Sequence, residues 1–224
     1  MEALVTILRP VTQSIRISAI LLALTLAAKA QTVTYSGDAA AARVDVLGVV
    51  NLSIEDTGPL PPNGGALSTN LLTFQLQPIL NLSLLSAATN GSNNQTNSQA
   101  SVANLSLNVA GIHVTASVLT SNATAFCSAS TASVSGDSQV LDLKINGLRV
   151  DISTQPNFTI NLLVASIVIN EQISSVVISP TVNSADMTVN ALHLRALGLA
   201  DVVISSSNAG VSCTVPSGGG VGLG

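Results

Sequence analysis

Along most of the chain, apolar and polar residues alternate. Leu105, Leu107 and Val109 alternate with Ser106 and Asn108. Ile112, Val114, Ala116 and Val118 alternate with His113, Thr115 and Ser117, and Leu141, Leu143 and Ile145 with Asp142 and Lys144. A two-residue period sends one set of side chains inward and the other into water, as a half-buried antiparallel strand requires. Past residue 30 no stretch holds a helical period with capping residues for long. Turn punctuation is frequent: Gly58-Pro59-Leu60-Pro61-Pro62-Asn63-Gly64-Gly65 reads as a tight loop, and Thr89 to Gln99 as a polar one. The pattern predicts an all-β fold of about ten to thirteen short antiparallel strands, stacked as a sandwich or barrel.

The same landmarks occur twice in the same order. Ser36-Gly37-Asp38, then Val44-x-Val46-x-Gly48 and Leu52-Ser53, recurs as Ser135-Gly136-Asp137, Leu143-x-Ile145-x-Gly147 and Ile152-Ser153. Val102-Ala103-Asn104-Leu105-Ser106-Leu107 and Gly111 match Val189-Asn190-Ala191-Leu192-His193-Leu194 and Gly198. Ser121-Asn122-Ala123 with Cys127 matches Ser207-Asn208-Ala209 with Cys213. Two copies, at about 32–127 and 134–213, are expected to pack face to face as one pseudo-symmetric domain. Between Val102 and Leu105, and again between Val189 and Leu192, the apolar positions change parity; one extra residue there would make a β-bulge.

Composition adds the compartment. Ile17 to Ala28 is an apolar run of about a dozen residues, preceded by Arg9 and Arg16 and closed by Ala28-Lys29-Ala30. It is shorter than the roughly 20 residues of a membrane-spanning helix. Residues 1–30 read as a signal peptide, helical before its removal, with cleavage between Ala30 and Gln31. That leaves a single β domain at 31–215 and a Gly-rich disordered tail at 216–224. The membrane is met only through the signal segment before cleavage, and the location is secreted or cell surface. Charged residues make up only 8% of the chain, so Ser, Thr and Asn must cover the surface. Beyond Ala30 four basic residues face ten acidic ones, and no basic stripe exists, which excludes nucleic acid as a partner. In an exported chain the two cysteines, Cys127 and Cys213, read as a disulfide rather than a metal site or nucleophile.

The chain also resembles the choice-of-anchor P family of exported bacterial proteins. The likeness runs through the Arg43–Ser53 hairpin, Asp56-Thr57-Gly58-Pro59-Leu60-Pro61, Gly64-Gly65 and Ala100-Ser101-Val102-Ala103-Asn104-Leu105. It continues in Ser133-Val134-Ser135-Gly136, Val168-Ile169-Asn170-Glu171-Gln172, Thr188-Val189-Asn190-Ala191-Leu192-His193 and Asp201-Val202-Val203-Ile204. The resemblance implies extracytoplasmic placement, a C-terminal anchoring segment that varies between members, and no established activity. After Cys213 this chain has Thr-Val-Pro-Ser-Gly-Gly-Gly-Val-Gly-Leu-Gly, without sorting signal, apolar helix or basic end, so release or passive retention is expected over anchorage.

No catalytic, cofactor or metal residue is assigned. Gly136-Asp137-Ser138 has the outline of a serine-hydrolase box, but its counterpart Gly37-Asp38-Ala39 lacks the hydroxyl, so what recurs is Gly-Asp, read as a turn. His113 and His193 have no sequence-local carboxylate at ligand spacing and read as surface or hydrogen-bonded histidines. Glu55-Asp56 is a candidate calcium pair, set against Ser153-Thr154 in the second copy, and reads as solvated. Asn51, Asn81, Asn90, Asn94, Asn104, Asn122 and Asn157 begin N-x-S/T triplets, as an Asn-, Ser- and Thr-rich composition produces. With only Tyr35, Phe74, Phe126 and Phe158 as aromatics, a stacking platform for sugars is disfavoured. The expectation is a non-enzymatic exported structural or surface-interaction protein with a possible cell-surface or matrix partner. The alternative is an extracytoplasmic module binding a small molecule or glycan through Gly58–Gly65 and Thr89–Gln99.

Overall fold

The computed structural model describes residues 31–153 and 155–216. The expected signal segment at 1–30, including Ala30 at its expected cleavage point, and nearly all of the Gly-rich tail lie outside the described residues. Among the described residues thirteen strands follow one another: β1 (Val33–Val46), β2 (Val50–Asp56), β3 (Gly65–Leu76), β4 (Leu80–Ser92), β5 (Gln95–Val109), β6 (Ile112–Cys127), β7 (Ala132–Leu141), β8 (Lys144–Ile145), β9 (Leu148–Arg149), β10 (Phe158–Asn161), β11 (Ala165–Val177), β12 (Val182–Ala196) and β13 (Ala200–Thr214). The expected short strands are mostly long, β6 reaching 16 residues. All pairings are antiparallel and build two sheets packed as a sandwich. Sheet A runs β10-β11-β12-β13-β1-β2. Sheet B runs β3-β4-β5-β6-β8-β9, with β7 also on β6.

The repeated landmarks fall at corresponding places. β3 to β6 form most of sheet B, and β10 to β13 most of sheet A. The first strand of each half has crossed to the other sheet: β1 lies beside β13, and β7 beside β6. There the two recurring motifs meet, Gly37 opposite Ala209 and Gly136 opposite Ala123. Gly-Asp is therefore mid-strand in both halves, not a turn. Glycine is needed at 136 because a Cβ would run into Met187 and Val189 of the facing sheet, and at 37 because it would crowd Asn208 O and Thr96.

Every long strand changes parity at one common level. In β5, Val102 and Leu105 are both buried, three residues apart instead of two; in β6 the same holds for Ala116 and Leu119. The expected bulge is not the cause here. Ala103 faces Val118 and Leu105 faces Ala116, so no residue has been inserted, and the β12–β13 ladder is equally regular from Asn190↔Ser206 to Leu192↔Ile204. Instead a residue in the left-handed region stands at this level in β2, β4, β5, β11 and β13, namely Glu55, Leu84, Asn104, Asn170 and Ser205, all with φ between 46 and 55°. Strands β1, β3, β6 and β12 carry none there and change parity opposite one. Only the β4–β5 ladder has a register irregularity beside this seam. Leu141 and Val118, assigned inward by simple alternation, fall on the far side of the seam, and Leu141 is exposed.

The seam divides the core. Toward the hairpin turns lies a large aliphatic cluster that includes Leu80, Leu105, Leu107, Ile167, Leu192, Leu194 and Ile204. Toward the other pole the sheets meet on Ala123, Ala125, Ala209, Val211 and the Cys127–Cys213 disulfide, whose Cα atoms are 6.0 Å apart. Serine and threonine fill the rest of that half. Thr96 Oγ1 donates to Gly210 O at 2.7 Å, and Ser205 Oγ donates to Ala100 O at 3.0 Å, bridging the sheets. The surface role expected of hydroxyls is thus only part of their use.

Candidate functional site

The outer face of sheet A gathers charge that the sequence scatters. Register sets the rows: Val168, His193, Val203, Arg43 and Ser53 lie side by side, and Ser166, Arg195, Asp201, Asp45 and Asn51 form another row nearer the turns. Glu171 stands opposite Asn190 one step beyond the seam.

These rows make a polar network in which Asn190 Oδ1 is buried without a hydrogen-bond partner among the described residues. His193 Nδ1 lies 2.6 Å from Glu171 Oε2, and its Nε2 lies 2.8 Å from Asp201 Oδ1. Asn190 Nδ2 donates to Glu171 Oε2 at 2.7 Å, and an Arg195 guanidinium nitrogen donates to Glu171 Oε1 at 2.8 Å. Glu171, Asn190 and His193 are buried, while the Asp201 side chain is 57% exposed. Burial pushes the Glu171 carboxyl up. Hydrogen bonds from Asn190 and His193, the charge attraction of His193 and the bond from Arg195 outweigh it and hold the carboxyl below its ordinary value.

The network joins the two histidine readings to the structure in different ways. His193 is not a surface group; it is buried and hydrogen-bonded. His113 is exposed on β6, with Nε2 3.4 Å from Ser106 Oγ. A hydrolytic triad needs one imidazole joined to both a carboxylate and a hydroxyl. Here the carboxylates belong to one histidine and the serine to the other, on opposite sheets. Ser138 Oγ, in the superficial hydrolase box, is buried without a hydrogen-bond partner among the described residues, and Asp137 accepts from Asn122 Nδ2. Glu55 and Asp56 take separate partners: Glu55 accepts from Thr69, and Asp56 from Gly58 N at 2.8 Å. They are hydrogen-bonded, not merely solvated. Among the described residues, no group of three or more His, Cys, Asp or Glu is placed to hold a metal ion.

The His193 network was missed because its carboxylates were sought nearby in sequence. The hairpin about Gly198 offered the signal: Arg195 and Asp201 are equidistant from that glycine, and His193 shares a face with Arg195 at a spacing of two. The loops proposed for ligands behave differently too. Gly58–Gly65 is pinned to β1 by Leu60 N donating to Gly37 O and Tyr35 N donating to Pro62 O, with Leu60 buried. Thr89–Gln99 is mostly strand, turning only at Asn93-Asn94, both left-handed. A trough of about 420 Å³ crosses the outer face of sheet B beside it, lined by Ser68, Asn90, Asn97, Gln99, Asn122 and Thr124.

The larger cleft, about 660 Å³, lies where sheet A ends in turns. Leu197-Gly198-Leu199 and the flanking Arg195 and Asp201 lie between Asn161–Ser166 on one side and Asp45 and Leu47 on the other. Fold and site together define a two-layer antiparallel sandwich with a polar network on the outer face of sheet A and, beside it, a cleft at one pole that Arg195 and Asp201 also line. No family model, curated protein or solved structure matches this chain.

Proposed function

We propose that this chain is a non-catalytic, exported structural or surface-interaction protein, built from a duplicated unit whose first strands are exchanged between the halves. The observation that carries the reading is the state of the buried ionic network on sheet A: both His193 ring nitrogens are engaged by carboxylates, with no hydroxyl joined to them among the described residues. A general base must have a free nitrogen facing a nucleophile or substrate. The disulfide supports an oxidising, extracytoplasmic location, and the resemblance to the choice-of-anchor P family agrees with that placement.

Fractionation of the host with mass spectrometry of the N-terminus and thiol state tests the location. The expected product begins at Gln31, with Cys127 and Cys213 joined. A Met1 product in the cytosol with free thiols refutes it. The purified protein is expected to show no turnover in a broad hydrolase-substrate screen. Reproducible turnover that disappears in His193→Gln would overthrow the non-catalytic reading.

A further inference from the structure

Three neighbouring turns end sheet A, and all three are aliphatic: Leu47-Gly48-Val49, Leu162-Leu163-Val164 and Leu197-Gly198-Leu199. Leu163 is 98% exposed and Leu197 81%, with Leu47, Val49, Val164 and Leu199 exposed beside them. Tight turns ordinarily take Gly, Asn, Asp or Ser, and an exposed leucine contributes nothing to folding. Main-chain bonds splice these turns into one ledge, Leu197 N donating to Val164 O at 3.2 Å and Leu47 N to Leu199 O at 3.0 Å. A contiguous apolar patch of this kind marks a contact site.

The polar rim supplies the second property. Asp45 and Asp201 are directly opposed across the β1–β13 ladder, where like charges are destabilising. Asp201 has His193 and Arg195 nearby, but Asp45 receives only the Asn51 amide and has no ion-pair partner among the described residues. Arg195 is already held by Glu171. Three carboxylates therefore face one guanidinium and one imidazole, and the rim stays negative in either state of the imidazole. The cleft between ledge and rim has the volume of a small-ligand site.

We propose that this cleft binds a small aliphatic ligand carrying a positive charge, the alkyl part on Leu47, Leu197 and Leu199 and the ammonium group at Asp45 and Asp201. A lipid surface fits less well, because the tip carries neither the Lys nor the Trp and Tyr that anchor interfacial segments. A second copy docking tip to tip would set acidic rim against acidic rim. The proposal rests on the surface-interaction reading and gives that surface its chemistry.

The test titrates octylammonium, below its micelle concentration, into the isotope-labelled, disulfide-intact protein, with octanoate and octanol as comparisons. Saturable amide shifts at Leu47, Leu197 and Leu199 are expected, with octanoate weaker than octylammonium by about tenfold. Asp45→Asn should narrow the preference for octylammonium over octanol by about two- to fivefold. Leu197→Ser should weaken octylammonium and octanol alike. Both positions are exposed, and an unchanged thermal midpoint verifies folding of each variant. Absence of saturable shifts, equal binding of octanoate, an unaltered preference in Asp45→Asn, or capture of the protein by neutral phosphatidylcholine vesicles through the ledge overturns the proposal. Failure here leaves the non-catalytic reading standing, and substrate turnover would sink that reading without touching ammonium binding.

Discussion

Two carboxylates on the outer face of sheet A respond to pH in opposite senses. Glu171 is held below its ordinary value when folded, so its contribution to stability is full above the unfolded carboxyl range and is lost as pH falls through the folded value. Glu171→Gln should cost about 1–3 kcal/mol at neutral pH, since it weakens charge-assisted bonds to buried partners, and the gap from wild type should close in acid. Urea unfolding at pH 7 and near pH 3 measures both effects. Asp186 is the reverse. Burial raises its carboxyl, the Asn208 bond opposes that, and the charge of Asp38 raises it further. With its folded value above the ordinary 3.8, Asp186 favours the folded state most below the unfolded value and loses that advantage as pH rises through the folded one. Asp186→Asn should therefore raise the thermal midpoint at pH 7, by a margin that shrinks in acid.

Strand-level features divide by how local their cause is. Gly136 sits where β7 passes under Met187 and Val189, and its lack of a side chain sets how closely the sheets approach. Gly136→Ala should destabilise by about 1–3 kcal/mol through overpacking, and trimming Met187 to Ala in the same chain should recover part of the loss, as chemical denaturation of the two single variants and the double variant would show. Alternation was enough to identify the Leu105–Val109 end of β5 and the Ile112–Val118 start of β6, because burial on one face is written into each residue pair, while Gln95–Gln99 of β5 read as part of a polar loop. The parity change was also visible between Val102 and Leu105. Its mechanism was not, since one left-handed residue and one inserted residue disturb a single strand's pattern alike and only the partner's register separates them. In hindsight the abundance of asparagine has a conformational reason: Asn93, Asn94, Asn104, Asn146, Asn157 and Asn170 all take the positive φ that Asn tolerates better than most residues. The exchange of β1 and β7 between sheets could not be read from the repeat, which reports likeness within each copy and nothing of which strands pair across copies. The place of Glu171 in the His193 network was hidden for the same reason, since it meets Asn190, His193 and Arg195 only through the β11–β12 register.

At the scale of the whole β domain, the two ends of the sandwich are held by different means. The turn pole has leucines and isoleucines between the sheets, and burying each such side chain contributes about 1.5–3 kcal/mol. The opposite pole has mostly alanines and hydroxyls beside Met187, Val189 and Val211, and the small side chains give the sheets less apolar area to hide. The first and last strands both end at that pole, Val33 pairing with Cys213, and so does the disulfide, which joins the end of β6 in sheet B to the end of β13 in sheet A across 86 residues. A crosslink closing a loop of that length stabilises by up to about 4–5 kcal/mol on the chain-entropy account. Its placement determines where the loss is felt. Cys127→Ala with Cys213→Ala should lower the urea midpoint, and amide exchange should rise first at the ends of β6, β7 and β13 beyond the seam. Amides beside Leu105, Leu192 and Ile204 should open only with global unfolding. Uniform acceleration across both poles would mean that the seam does not separate two regions of local stability. Confinement to the cysteine pole would mean that the aliphatic half folds on its own core and the disulfide fastens the half that lacks one.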